Sequence, residues 1–284
     1  PYFTEDGVSR TLNLYDRIIR PYSLSTTSYS IESAGAGIAF GIPIAEVDSI
    51  QLGIAYDQTT VSNGVGLPTA YSTYVGETVQ SVPLTLGWAR DSRDSMLAPN
   101  KGRLLRLNAE LGVLGDTRYY KNSAQFQQYW PLTKKYTFAV NAELGYGAGY
   151  SGKDFPVFKN YYSGGLGSVR GFQQNSLQTD KAYESNSGQY SIGGAKKILV
   201  NSEFLMPFPG VGTDKTLRLF TFVDIGNVYL DSETVDLSQL RSSFGLGLSW
   251  VSPVGPLRFA LAKPIKKFEN DRIQTFQFQI GTAF

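Results

Sequence analysis

Residues 103–115 read RLLRLNAELGVLG. Leu105, Leu107, Ala109, Leu111 and Val113 share one parity, and Arg106, Asn108, Glu110 and Gly112 share the other. A period of two is the signature of a β-strand with one apolar and one polar face. The same split recurs along the chain. Phe138, Val140, Ala142, Leu144 and Tyr146 oppose Asn141, Glu143, Gly145 and Gly147, and Phe244, Leu246, Leu248 and Trp250 oppose Ser243, Gly245, Gly247 and Ser249. In two further stretches the apolar register carries no charge, while the opposite one holds Asn201 with Glu203, and Arg218 with Asp224.

Soluble sandwich strands alternate in the same way. Two features favour a membrane-spanning antiparallel β-barrel. The periodic runs are long, about 10 to 14 residues, which is what a tilted strand needs to cross a bilayer. Their polar faces also carry ionisable residues and glycine, as the wet interior of a barrel does and a packed core does not. The expected fold class is therefore all-β, with twelve strands at about 8–20, 29–41, 48–61, 78–90, 103–115, 119–130, 136–150, 195–206, 217–230, 240–251, 256–263 and 272–284. Trp88, Tyr119, Tyr120, Trp130, Tyr136 and Trp250 near strand ends fit interfacial girdles.

Composition narrows the chemistry. The 284 residues contain no histidine and no cysteine, with a net charge of +2. That removes His-dependent nucleophile triads, His and thiolate metal sites, and disulfides. Near-neutrality and the lack of any basic run argue against nucleic-acid binding. No apolar run is long enough for a transmembrane helix. The chain starts at Pro1 without a methionine and is read as part of a longer protein. Residues 1–284 read as one barrel domain, with no second domain in the sequence.

One connection, about 151–194, is far longer than ordinary loops and so is expected to be functional or disordered. It carries NYYSGGLGSVRGFQQNS, residues 160–176, with Val169, Arg170, Gly171 and Phe172 at its centre. On its own, an arginine in such a loop reads first as a solvated side chain. Paired carboxylates on a polar wall, Glu203 and Asp224, suggest glycosidase chemistry, but cationic neighbours Arg170 and Arg218 would lower both pKa values instead of raising one for a general acid. No cofactor is called for, and the chain is not read as an enzyme.

The set VRGF, NSEFLMPFPG, FTFVDIGNVY, WVSPVGPLRFALAKPIKK and FQFQIGTAF, together with PYFTEDGVSR and DSRDSMLAPNKGRLL, resembles in collinear order the C-terminal barrel of the BamA family of outer-membrane assembly proteins. That family's barrel has sixteen strands behind periplasmic POTRA domains, so the resemblance implies that the POTRA domains and about four strands are missing from this sequence. It implies a location in the bacterial outer membrane and a non-enzymatic role in inserting other barrels there. The insertion would use a weak seam between first and last strands. The implied partners are outer-membrane lipid and lipopolysaccharide, nascent outer-membrane β-barrel proteins, and accessory lipoproteins of the assembly complex. Within the superfamily the alternatives are a two-partner secretion or autotransporter-assembly transporter; a passive porin is a different class.

The resemblance also implies that the loop enters the barrel, with Arg170 docked on Glu203 and Asp224. The last strand, with Phe276, Phe278, Ile280 and Phe284 facing lipid, resembles the terminal signal of outer-membrane barrels, and Gly281 would weaken pairing at the seam. Residues 8–20 are expected to pair with 272–284 and close a twelve-stranded barrel.

Overall fold

A computed structural model describes residues 3–19, 30–64, 67–185, 191–210, 216–253 and 255–281. Its wall is one antiparallel sheet. In chain order the first seven strands are β1 (Ser9–Ile19), β2 (Ile31–Pro43), β3 (Asp48–Val61), β4 (Thr78–Asp91), β5 (Gly102–Gly115), β6 (Tyr119–Pro131) and β7 (Thr137–Gly149). A two-residue strand, β8 (Gly171–Phe172), and a short helix, α1 (Asp180–Ser185), interrupt the long loop. The wall resumes with β9 (Lys196–Pro207), β10 (Leu217–Tyr229), β11 (Arg241–Ser252) and β12 (Gly255–Lys266), and the chain continues through β13 (Ile273–Gln274) and β14 (Phe276–Ile280). Twelve of these strands form the wall in the order β1 to β7, β9 to β12, then β14, while β8 and β13 pair with each other.

The dimensions suit a bilayer. A 13-residue strand such as β7 extends ~43 Å at ~3.3 Å per residue, and a tilt near 45° leaves ~30 Å along the normal. Outward positions are large and apolar: Leu12, Leu14, Leu86, Leu107, Leu144, Leu246, Leu261 and Phe278 are all exposed on the outside of the sheet. A contiguous greasy surface of this extent is a lipid-facing surface. Among the described residues no helix is long and apolar enough to cross a membrane.

Three expectations are corrected. The final run 272–284 is not one strand. Residues 273–274 turn inward to pair with β8, and only 276–280 stay in the wall, on β12. Among the described residues no ladder joins 8–20 to 272–284, so the expected closure is not seen there. β1 is laddered only to β2, β14 only to β12, and the last strand has given part of its length to the loop. Tyr119 is not in a girdle. Alternation sends Tyr119 and Tyr120 to opposite faces, and Tyr119 is completely buried inside while Tyr120 stacks on Tyr146. A bulge opposite Val82 and Pro83 also shifts the register, so Leu114 rather than Val113 is the exposed residue at the end of β5.

The two faces predict different tolerance. Leu246→Arg, on the lipid face of β11, should destabilise the barrel in phospholipid vesicles by about 2–4 kcal/mol. Asn108→Arg, on the lumenal face of β5, should change stability by less than about 1 kcal/mol in the same urea titration.

Candidate functional site: a loop docked inside the barrel

Alternation places Glu203 on β9 and Asp224 on β10 on the lumenal face, and the long loop brings Arg170 to them. The Arg170 guanidinium is almost wholly buried, as is Asp224. Its Nε and NH2 donate to the two Asp224 oxygens at 2.7 and 2.6 Å, and NH1 donates to Glu203 at 2.5 Å. The Arg170 backbone N–H adds a 3.0 Å bond to Asp224. This is the bidentate fork that only arginine can present. Burial works against the charge, but the Glu203 and Asp224 carboxylates overcome it and hold the arginine pKa above its ordinary value.

Several further residues complete the site. Arg258 of β12 pairs with the same Glu203, so the second cation at this acid is Arg258 and not Arg218. Arg218 instead donates to the backbone oxygens of Ala98 and Pro99, in the turn between β4 and β5, at 2.7 and 3.0 Å. The Phe222 ring lies 3.7 Å below the Arg170 guanidinium carbon, a cation–π contact that desolvation strengthens. Asn201 donates to both Asp224 and the Ser168 backbone oxygen at 2.8 Å. Parity could have found them: Arg258 shares a register with buried Ala260 and Ala262, and Phe222 with Asp224.

The residues beside Arg170 fix the loop tip. Val169 and Phe172 are fully buried and pack with Leu177 and Leu199. Gly171 has φ +88°, a conformation that a side chain disfavours, and an added Cβ would stand 3.1 Å from the Ala262 Cβ. From this tip β8 pairs with β13, Phe172 opposite Ile273 and Gly171 opposite Gln274. Gln277 of β14 points inward, donating to the Phe172 oxygen at 2.6 Å and accepting from the Gly171 N–H at 3.3 Å. Just before β13, Asp271 is bound by the buried Arg241 at 3.1–3.2 Å.

On the last strand Phe276, Phe278 and Ile280 are exposed on the outer face. Gly281 has φ +98°, and its N–H still donates to the Pro256 oxygen at 2.9 Å, so pairing with β12 persists there. Phe284 lies outside the described residues.

Next to the arginine a cavity of about 370 Å³ is lined by Tyr129, Asn141, Glu203, Arg218 and Arg258 among others. Of the two acids that line it, Glu203 is engaged by the Arg170 and Arg258 guanidinium groups and Glu143 by the Lys197 amine, so the arrangement offers fixed charge and hydrogen bonds for holding a loop.

These features define a membrane-spanning β-barrel whose interior is occupied by its own loop. The chain belongs to the Omp85 superfamily, whose domain model matches residues 1–284. It is 35% identical to the outer membrane protein assembly factor BamA of Neisseria meningitidis serogroup B over 100% of its own length and 40% of that protein. It is 28% identical to the sorting assembly machinery 50 kDa subunit of Saccharomyces cerevisiae, covering 78% of this chain and 48% of the yeast protein. The crystal structure of BamA from Haemophilus ducreyi lacking POTRA domains 1–3 superposes with a TM-score of 0.82 at 29% identity, over 98% of this chain and 59% of that one. The chain thus spans well under two thirds of each of these relatives.

Removing one partner of a buried ion pair leaves the other uncompensated. Arg170→Ala and Asp224→Ala should each cost about 3–5 kcal/mol. In a double-mutant cycle, read by the temperature at which the folded barrel loses its fast electrophoretic migration, the combined loss should be clearly smaller than the sum. Additive losses would separate the two residues energetically.

Proposed function

We propose that this chain is the barrel part of an outer-membrane insertase, located in the bacterial outer membrane. It helps nascent β-barrel proteins fold into the bilayer without catalysing a covalent reaction. The observation that carries the reading is the condition of the last strand. β14 is held in the wall by five residue pairs with β12, from Leu257 opposite Ile280 to Leu261 opposite Phe276. Its other edge has no ladder partner among the described residues.

An unpaired edge in hydrocarbon leaves N–H and C=O groups unsatisfied at several kcal/mol each, so it is strongly driven to accept a strand. Strand addition is how an extended segment is recognised by backbone hydrogen bonds. The relatives named as assembly factors and sorting machinery support this use of the edge. What speaks against a passive pore is the loop, whose Val169, Phe172 and Leu177 are buried in the barrel interior.

The residues Val169, Arg170, Gly171 and Phe172 act in this scheme as the loop's anchor, with Glu203 and Asp224 as its receptor. Phe276, Phe278 and Ile280 of β14 serve as the seam, and together with Gly281 and Phe284 of the sequence that follows they serve as the recognition signal. Lipid and lipopolysaccharide surround the outer face, and accessory lipoproteins bind parts of the protein beyond this chain.

The test uses cells depleted of their own assembly factor and supplied with the full-length protein carrying a cysteine at Gln279, since residues 1–284 contain none. Assembly of a reporter barrel should be restored, and a cysteine in the reporter's terminal strand should form a disulfide with position 279. Restoration without any adduct along β14 would remove the edge from the mechanism, and no restoration would remove the insertase reading.

A further inference from the structure

The arm of the loop that precedes the arginine is anchored as firmly as the arginine itself, but on a different part of the wall. Lys159 reaches Glu110 of β5 at 2.8 Å and Asp57 of β3 at 3.4 Å. The side chains of all three are largely buried. Each acid has a second donor of its own: Tyr119 OH to Glu110, and Tyr15 OH of β1 to Asp57 at 2.6 Å. Two residues on, Tyr161 donates to the Asn122 oxygen of β6 at 2.7 Å, and its ring occupies the space that a side chain at Gly145 would need. Val157 packs on Ile31, Val61 and Tyr71. The first arm therefore sits on the early half of the sheet.

Eleven residues later in the sequence Arg170 is tied to β9 and β10, and Gly171 and Phe172 are tied to β13 and to Gln277 of β14. In the order of the sheet β3 is third and β14 is last. The path along the wall between them crosses every intervening ladder. The path through the loop is a dozen residues. Among the described residues no ladder joins β1 to β14, and the loop ties the early strands directly to the last one.

We propose that the loop is a strut whose near foot is Lys159 on Glu110 and Asp57, and that Lys159 is a positioning residue for strand insertion, setting how far the last strand stands from the opposite wall. This rests on the insertase reading for its functional consequence, but not for its geometry. A sheet twelve strands wide can flex. A charged foot held by two carboxylates, with tyrosine hydroxyls orienting both, restrains that flexing at one end, and the Gln277 clamp restrains it at the other. Releasing Lys159 leaves the Arg170 site intact and frees the first wall to move relative to β14.

The experiment places spin labels at Leu14→Cys on β1 and Leu261→Cys on β12, both exposed to lipid, in the full-length protein in liposomes. The parent protein and Lys159→Arg, which keeps the charge, should give the same narrow distance distribution. Lys159→Met should broaden it and slow assembly of a reporter barrel about fivefold or more, while the folded barrel keeps its heat-resistant migration. An unchanged distribution in folded Lys159→Met overturns the strut. Should Lys159→Met not fold, Lys159→Gln, which removes the charge but keeps hydrogen-bonding groups, takes its place: a broad distribution supports the proposal and a narrow one overturns it. If the parent protein assembles no reporter, the insertase reading falls, and the strut is judged on the distances alone.

Discussion

A guanidinium buried inside a membrane protein must be neutralised, and here it is Arg170 that sets this requirement. The cost of stripping water from the charge is met only when both Asp224 oxygens and Glu203 are within hydrogen-bond reach at once. Those acids stand on two adjacent wall strands, so the loop tip has one place to go. Phe222 covers the flat side of the guanidinium and Asn201 links Asp224 to the loop backbone at Ser168. The conformation at Gly171 then follows, because the chain must turn sharply beside Ala262 for Phe172 to enter its pocket.

The docked loop adds to what the wall makes for itself. The wall's own buried apolar cluster is Ala139, Leu205, Phe220, Phe222, Ala260 and Ala262, confined to β7, β9, β10 and β12. Around the loop, Val169, Phe172, Leu177 and Leu199 form one buried cluster, and Tyr119, Phe155 and Ala195 form another. The wall makes room with glycine: a Cβ at Gly147 would lie 2.5 Å from the Phe155 ring. Through β13 and Gln277 the same loop reaches the last strand, so that the anchoring of the arginine and the condition of the edge become one mechanical system.

Much of the wall was legible in the sequence because a period of two is imposed by strand geometry wherever one side meets lipid and the other water. It located the first eleven runs to within a few residues and put Glu203 and Asp224 on the inner face, where both lie. It failed where the pattern is broken or ambiguous. The run from Thr275 to Ile280 alternates without a break, and Ile273 and Gln274 fall out of its phase; that they leave the wall to pair with β8 depends on the loop being present. The bulge at Val113 and the placing of Tyr119 are one-residue questions of register. Arg258 and Phe222 were hidden because an inward arginine or phenylalanine looks the same whether it meets a loop or water. The docking of Arg170 followed from the family motif, since periodicity alone favoured a solvated loop arginine.

The central claim is that docking of Arg170 holds the last strand as well as the loop. Hydrogen exchange measured by mass spectrometry on the protein in lipid tests it most directly, comparing the parent with Asp224→Asn, which keeps the shape and removes the charge. The account predicts that peptides covering 160–178 and 271–281 lose protection together, while peptides from β5 and β6 keep theirs. Release of the loop with unchanged protection at 271–281 would contradict it.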